Sequence, residues 1–210
     1  MSATMKYYIT PPNQLTFLRI LVTPLFVYLL FSPDPVSRQL SIIVFLVALL
    51  TDWYDGWVAR RWGYVTRWGS FLDPLADKIV TSSAFISFIY LDLVPPWTVW
   101  IIVFRDIVIT LLRSYSEYKG KPFDTSKMAK TKTFLQFTVL FYILLLYVGQ
   151  GVTLLQPYHA LIGTMLNPTL LYFLMVCIAI ITVWTGTVYT IDNRRTLQEL
   201  YAVTNRVTES

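Results

Sequence analysis

The chain reads as an all-α membrane protein of six transmembrane helices with both termini in the cytoplasm, preceded by a short N-terminal juxtamembrane segment. Three observations predict this. Hydrophobic residues make up 55% of the 210, charged residues only 14%, and mean hydropathy is +0.55, a balance that suits lipid. Six apolar runs each come near the roughly 20 helical residues that cross a bilayer core. Lys and Arg collect in alternate connections between those runs.

The first run, Leu15 to Phe31, holds Arg19 and leads into Ser32-Pro33-Asp34-Pro35 rather than a small-residue cleavage site, so it reads as a retained helix and not a signal peptide. The second, Leu40 to Leu50, continues with polar interruptions to Ala59. Ile79 to Leu93, Trp97 to Leu112, Phe134 to Val148 and Leu170 to Tyr189 are the other four. Several are short, so their helices must run on through polar ends. Turn residues punctuate the sequence between them: Pro33 and Pro35, Gly63, Pro95-Pro96, Gly120-Lys121-Pro122, Gly149-Gln150-Gly151 and Asn167-Pro168. Trp53, Trp57, Trp62, Trp68, Trp97 and Trp100 stand near span ends, where Trp anchors the membrane interface.

Charge sets the orientation. Lys6, Arg60, Arg61, Arg67, Lys78, Arg113, Lys119, Lys121, Lys127, Lys130, Lys132, Arg194, Arg195 and Arg206 all lie on one side of a six-span layout, whereas the other side offers Arg38 with Asp34 and Asp92. The positive-inside rule makes the basic side cytoplasmic. The formal net charge of +5 is then topology and attraction to anionic lipid, not a nucleic-acid footprint. Cys177 and His159 are each the sole residue of their kind, which excludes an internal disulfide, a cysteine zinc site and a histidine triad. With no internal repeat and no long linker, residues 1–210 read as one membrane domain.

Against this background four aspartates stand out: Asp52, Asp55, Asp73 and Asp77 fall within 26 residues at the basic border. Carboxylates beside lipid are expensive and mark functional sites. On a helix Asp52, Asp55, Gly56 and Ala59 follow i, i+3, i+4 and i+7, and Gly69, Asp73 and Asp77 follow i, i+4 and i+8, so each set shares a face. Opposed faces on two antiparallel helices would converge four hard oxygen donors, a set suited to Mg²⁺ or Mn²⁺ and hence to phosphate. Two such ions can clamp an in-line displacement. Gly56, Ala59 and Gly69 lack bulk and leave room for a ligand or a second backbone.

The ordered pattern Asp-x2-Asp-Gly-x2-Ala-Arg-x8-Gly-x3-Asp-x3-Asp over residues 52–77 resembles the signature of the CDP-alcohol phosphotransferase family, with all eight fixed positions filled. The resemblance implies a six-helix membrane enzyme, usually a homodimer, that uses two divalent cations. It would transfer a phosphatidyl group from a CDP-linked donor to an alcohol and release CMP. By that correspondence Asp52, Asp55, Asp73 and Asp77 are metal ligands and Asp77 is also the general base. Asn13, Gly56, Ala59, Arg60, Thr66 and Gly69 become donor-binding positions. Pro12-Asn13-Gln14-Leu15-Thr16 with Arg19, then Arg105-Asp106, Leu112-Arg113 and Ser126 to Gln136, resemble the members that use CDP-diacylglycerol and glycerol 3-phosphate. Such members are enzymes of the bacterial cytoplasmic membrane with the site facing the cytoplasm. Ala129-Lys130-Thr131-Lys132-Thr133 departs mildly from their usual Gly-Lys-x-Lys-Thr, and Asp106 replaces a common Glu.

Arg105 falls inside the fourth span, so it must pair with a carboxylate such as Asp106 or face a polar cavity. Arg113 follows at i+8 on the same face. With Lys130 and Lys132 at the start of the fifth helix, these cations form a candidate site for the acceptor phosphate. The same donor chemistry with phosphatidylglycerol as acceptor is the competing enzyme reading. A cation transporter, whose acidic residues belong near the bilayer midplane, or a non-catalytic membrane scaffold fits less well.

Overall fold

The computed structural model describes residues 11–62, 67–120, 123, 127–194 and 196–198, with side chains described at all of these except 11–16, 52–53, 55–62, 67–73, 118 and 127. Proline opens four of the long helices: α1 (Pro11–Leu30), α2 (Pro35–Trp62), α4 (Pro96–Tyr118) and α7 (Pro168–Asp192). At a helix's first position its missing N–H costs nothing and its φ is already helical. Asp34 caps α2, accepting from the Ser37 backbone N–H at 2.9 Å and its hydroxyl at 2.8 Å. These two bonds hold the Asp34 carboxyl below the usual carboxylate range. Asn167 caps α7 by accepting from Thr169 N–H at 2.8 Å. At the other end of α4, Gly120 takes a left-handed φ of 74°, the conformation that ends a helix without a Cβ penalty.

The remaining long helices are α3 (Arg67–Tyr90) and α5 (Lys127–Gly149). No strand occurs among the described residues. Helices do run beyond their apolar cores, and α2 continues past Leu50 to carry positions 52, 55, 56 and 59. The stretch between α5 and α7, expected to be loop, instead holds a 3-10 turn (Thr153–Tyr158) and a short helix α6 (His159–Met165). Leu155 and Ile162 lie against Gly149, and the Tyr142 hydroxyl donates to Met165 O at 2.8 Å, so local packing fixes this segment. By length and composition α7 and the Met128–Gly149 part of α5 are apolar enough to cross a membrane.

The long helices pack as a ring in the order α1, α3, α4, α7, α5, α2 and back to α1, with α2 also touching α3. One half of the ring is filled with apolar side chains. Phe26, Phe45 and Phe141 stack in sequence with centroids 5.0 and 5.6 Å apart, and Phe88, Ile102, Leu144 and Met175 are fully buried around them. The other half contains buried polar groups: Arg19, Asp106, Lys132, Gln136 and Thr185.

Candidate active site

The first half of α3, the second half of α4, the start of α5 and the end of α7 enclose a cavity of about 300 Å³. Asp77 and Lys78 reach it from α3, Arg105, Asp106, Arg113 and Glu117 from α4, and Tyr189 from α7. A carboxylate and an array of cations thus border one space.

Asp106 organises the cations. Its carboxylate is nearly sealed from solvent, a position that is tolerable only with close partners. Lys132 Nζ donates to Oδ1 at 2.5 Å, Arg105 Nη1 donates to the same oxygen at 3.2 Å, and Lys78 Nζ lies 3.6 Å from Oδ2. Lys132 is itself 1% exposed and also donates to Gln136 Oε1 one turn along α5. Three cations face one carboxylate, so this wall keeps a surplus of positive charge.

Arg105 is held from two sides. Besides Asp106, its Nη2 donates to Thr185 Oγ1 on α7 at 3.2 Å. Thr185 spends its own proton on Ile181 O at 2.8 Å, which leaves a lone pair for the guanidinium. Beside it Gly186 gives the side chain room: a Cβ there would stand 3.1 Å from Arg105 Nε and 3.2 Å from Cγ. Arg113 is looser, about half exposed, with Nε donating to Glu117 Oε1 at 2.9 Å. Tyr189 has its ring set edge-on to Phe123, a residue of the α4–α5 connection, with centroids 5.7 Å apart.

Among the sequence-derived candidates, Asp77, Arg105 and Arg113 border the one cavity. Lys132 lies behind its wall, engaged by Asp106 and Gln136, and Lys130 is exposed on α5 outside the lining. Thr66, and the side chains of Asn13, Asp52, Asp55, Gly56, Ala59, Arg60, Gly69 and Asp73, lie outside the described residues. Positions 52 and 55 belong to α2 and 73 to α3, two helices in contact. Among the described residues no three His, Cys, Asp or Glu side chains form a metal cluster. The donor set at positions 52, 55, 73 and 77 is all carboxylate, on two packed helices whose α3 member brings Asp77 to the cavity, and this suits a hard divalent cation.

Lys78, Thr185, Gly186 and Tyr189 were not singled out as site residues by sequence reasoning. For the three α7 residues the one sequence signal was a Thr-Gly pair followed by Tyr at the end of an otherwise apolar helix.

A family model for CDP-alcohol phosphatidyltransferases matches residues 9–192, which spans the ring of helices and every cavity residue. The chain belongs to this family. Among curated proteins it is 35% identical over 146 residues to the CDP-diacylglycerol–glycerol-3-phosphate 3-phosphatidyltransferase of Bacillus subtilis, covering 64% of this chain and 76% of that one. The protein of the same name from Rickettsia typhi is 32% identical over 145 residues, covering 69% and 82%. That from Salmonella typhimurium is 34% identical over 139 residues, covering 63% and 75%. CDP-alcohol phosphatidyltransferases are generally dependent on divalent cations.

Proposed function

We propose that this chain transfers the phosphatidyl group of CDP-diacylglycerol to sn-glycerol 3-phosphate, giving phosphatidylglycerophosphate and CMP. The supporting observation is that Asp77 shares a single cavity with Lys78, Arg105 and Arg113. A base and a phosphate-recognising wall are what a phosphorylated alcohol requires, and the curated relatives' shared name points to the same substrates.

In this reading the acceptor phosphate is drawn to the surplus positive charge of the α4 wall, where Arg105 offers a planar fork fixed by Asp106 and Thr185. Arg113 meets it at the mouth, and Lys130, exposed on α5 outside the lining, enters this reading from the sequence alone. Lys132 supports the wall through Asp106. The hydroxyl then lies toward Asp77, which takes its proton as the oxygen bonds to the phosphatidyl phosphorus. The bond from that phosphorus to the CMP oxygen breaks, and CMP leaves. Asp52, Asp55, Asp73 and Asp77 would hold two divalent cations, Mg²⁺ or Mn²⁺, which when bound draw charge from the donor's pyrophosphate. Asn13, Gly56, Ala59, Arg60, Thr66 and Gly69 bind the donor on the family resemblance.

The six long helices span the bacterial cytoplasmic membrane with both termini and the cavity on the cytoplasmic side, as a single domain over 1–210. Assembly as a homodimer rests on the family resemblance.

The test is CMP release by the purified protein from labelled CDP-diacylglycerol, with a panel of acceptors and with chelator or added metal. Glycerol 3-phosphate should be used and uncharged glycerol should be poor, since glycerol leaves the cations unpaired in a partly desolvated cavity. Chelation, and each of Asp52→Asn, Asp55→Asn, Asp73→Asn and Asp77→Asn, should abolish turnover, with Asp77→Asn retaining donor binding. Use of phosphatidylglycerol while glycerol 3-phosphate is ignored would refute the acceptor assignment.

A further inference from the structure

Tyr189 is 4% exposed and borders the cavity, yet its hydroxyl has no hydrogen-bond partner among the described residues. A buried hydroxyl without a partner is costly and calls for an explanation. The ring is not free to turn the group elsewhere: Phe123 stands edge-on to it at an interplanar angle of 85°, and Ile109, Leu112 and Leu197 pack around the pair. Tyr189 follows Thr185 at i+4 and Gly186 at i+3, so it shares the α7 face against which Arg105 of α4 lies.

The neighbours narrow what the hydroxyl can serve. Lys78, Arg105 and Arg113 are donors with no acceptor capacity, so none of them can take the phenolic proton. Glu117 Oε1 accepts from Arg113 and Asp106 Oδ1 from Lys132 and Arg105, and neither carboxylate accepts from the Tyr189 hydroxyl. An incoming phosphate oxygen accepts from a phenol and from guanidinium groups at once. We propose that the Tyr189 hydroxyl donates a hydrogen bond to the phosphate of the acceptor, making α7 a contributor to acceptor specificity. The inference rests on the acceptor reading given above and adds a neutral donor to its cationic wall. A neutral donor discriminates by geometry where cations attract any anion.

The experiment compares wild type with Tyr189→Phe, which keeps the ring and its packing on Phe123. The KM for glycerol 3-phosphate should rise roughly ten- to a hundredfold, the value for one hydrogen bond to a charged group, while the KM for CDP-diacylglycerol is unchanged. Inhibition by inorganic phosphate, competitive with the acceptor, should weaken in parallel. 3-Fluorotyrosine at position 189, nearly isosteric and a stronger donor, should lower the acceptor KM. A Tyr189→Phe protein with unchanged acceptor KM and unchanged phosphate inhibition overturns the inference, as does an equal loss toward donor and acceptor. Should wild type ignore glycerol 3-phosphate, the functional reading itself fails. The comparison is then made with the acceptor the panel identifies, and an unchanged KM for it overturns the role of Tyr189.

Discussion

Replacing Asp106 by Asn tests whether the cationic wall is built around this one carboxylate. Asn keeps the shape and one acceptor oxygen but removes the charge that Lys132, Arg105 and Lys78 share. Lys132 has 1% of its side chain exposed and Asp106 2%, so water cannot screen the loss. Removing one partner of a buried pair costs about 3 to 5 kcal/mol, because the other charge stays buried and uncompensated. In a chain of this size each kcal/mol moves the melting temperature by about 2 to 4 °C. The expected fall is roughly 6 to 20 °C by thermal unfolding in detergent. Adding Lys132→Met to Asp106→Asn should recover much of it, since an apolar replacement of similar volume removes the stranded charge. Arg113→Ala is the contrast. Its pair with Glu117 is about half exposed and spaced i, i+4, worth roughly 0.3 to 0.5 kcal/mol. It should leave the melting temperature nearly unchanged while lowering kcat/KM for the acceptor about ten- to a hundredfold. A melting temperature for Asp106→Asn equal to wild type, with Lys132 intact, would refute the reasoning.

Gly186→Ala places a methyl within 3.2 Å of Arg105 Nε and Cγ, so the guanidinium must shift from Thr185. The acceptor KM should rise even though alanine favours the helix by about 1 kcal/mol, and a KM equal to wild type would remove α7 from Arg105 positioning. For topology, single cysteines at Lys121 and Asn193 in a Cys177→Ser background should be labelled only from the cytoplasmic side. Labelling of either from outside in intact cells would overturn the orientation.

Helix ends were legible because Pro35, Pro96, Gly120 and Pro168 act through their own backbones and Asn167 through its side chain, and local chemistry is what a sequence carries best. The polar extension of α2 was legible for a related reason: an apolar run shorter than the bilayer must continue. The pairing of Arg105 with Asp106 could be posed from the cost of a cation inside a span. Lys132 was not readable in the same way. It looks like one more cation of a basic connection, and its carboxylate lies 26 residues away on another helix. The α7 contribution was hidden for a different reason. A helix that is apolar on nearly every side gives no periodic signal for which face meets its neighbours, so Thr185, Gly186 and Tyr189 became meaningful only once Arg105 was placed against them. The short α6 was missed because at 7 residues it is held by contacts to Gly149 and Tyr142, not by its own propensity.

The cost of release separates the cations into two kinds. Withdrawing Lys132 from Asp106 to reach a substrate would break the most buried of that carboxylate's three pairs, an expense of several kcal/mol that a single phosphate contact of about 1.5 to 3 kcal/mol does not repay. Withdrawing Arg113 from Glu117 costs a few tenths. Arg105 stands between them: Asp106 and Thr185 hold two of its nitrogens, and its Nε is buried without a partner among the described residues. In the proposed reading a phosphate is met by Arg105 and Arg113, with Lys132 fixing the first of these from behind through a shared carboxylate. This arrangement places the fixed charge deep and the adjustable charge at the mouth. An anion can then be attracted by the whole wall and aligned against Asp77 by a guanidinium that is already in position, without paying to order it on arrival.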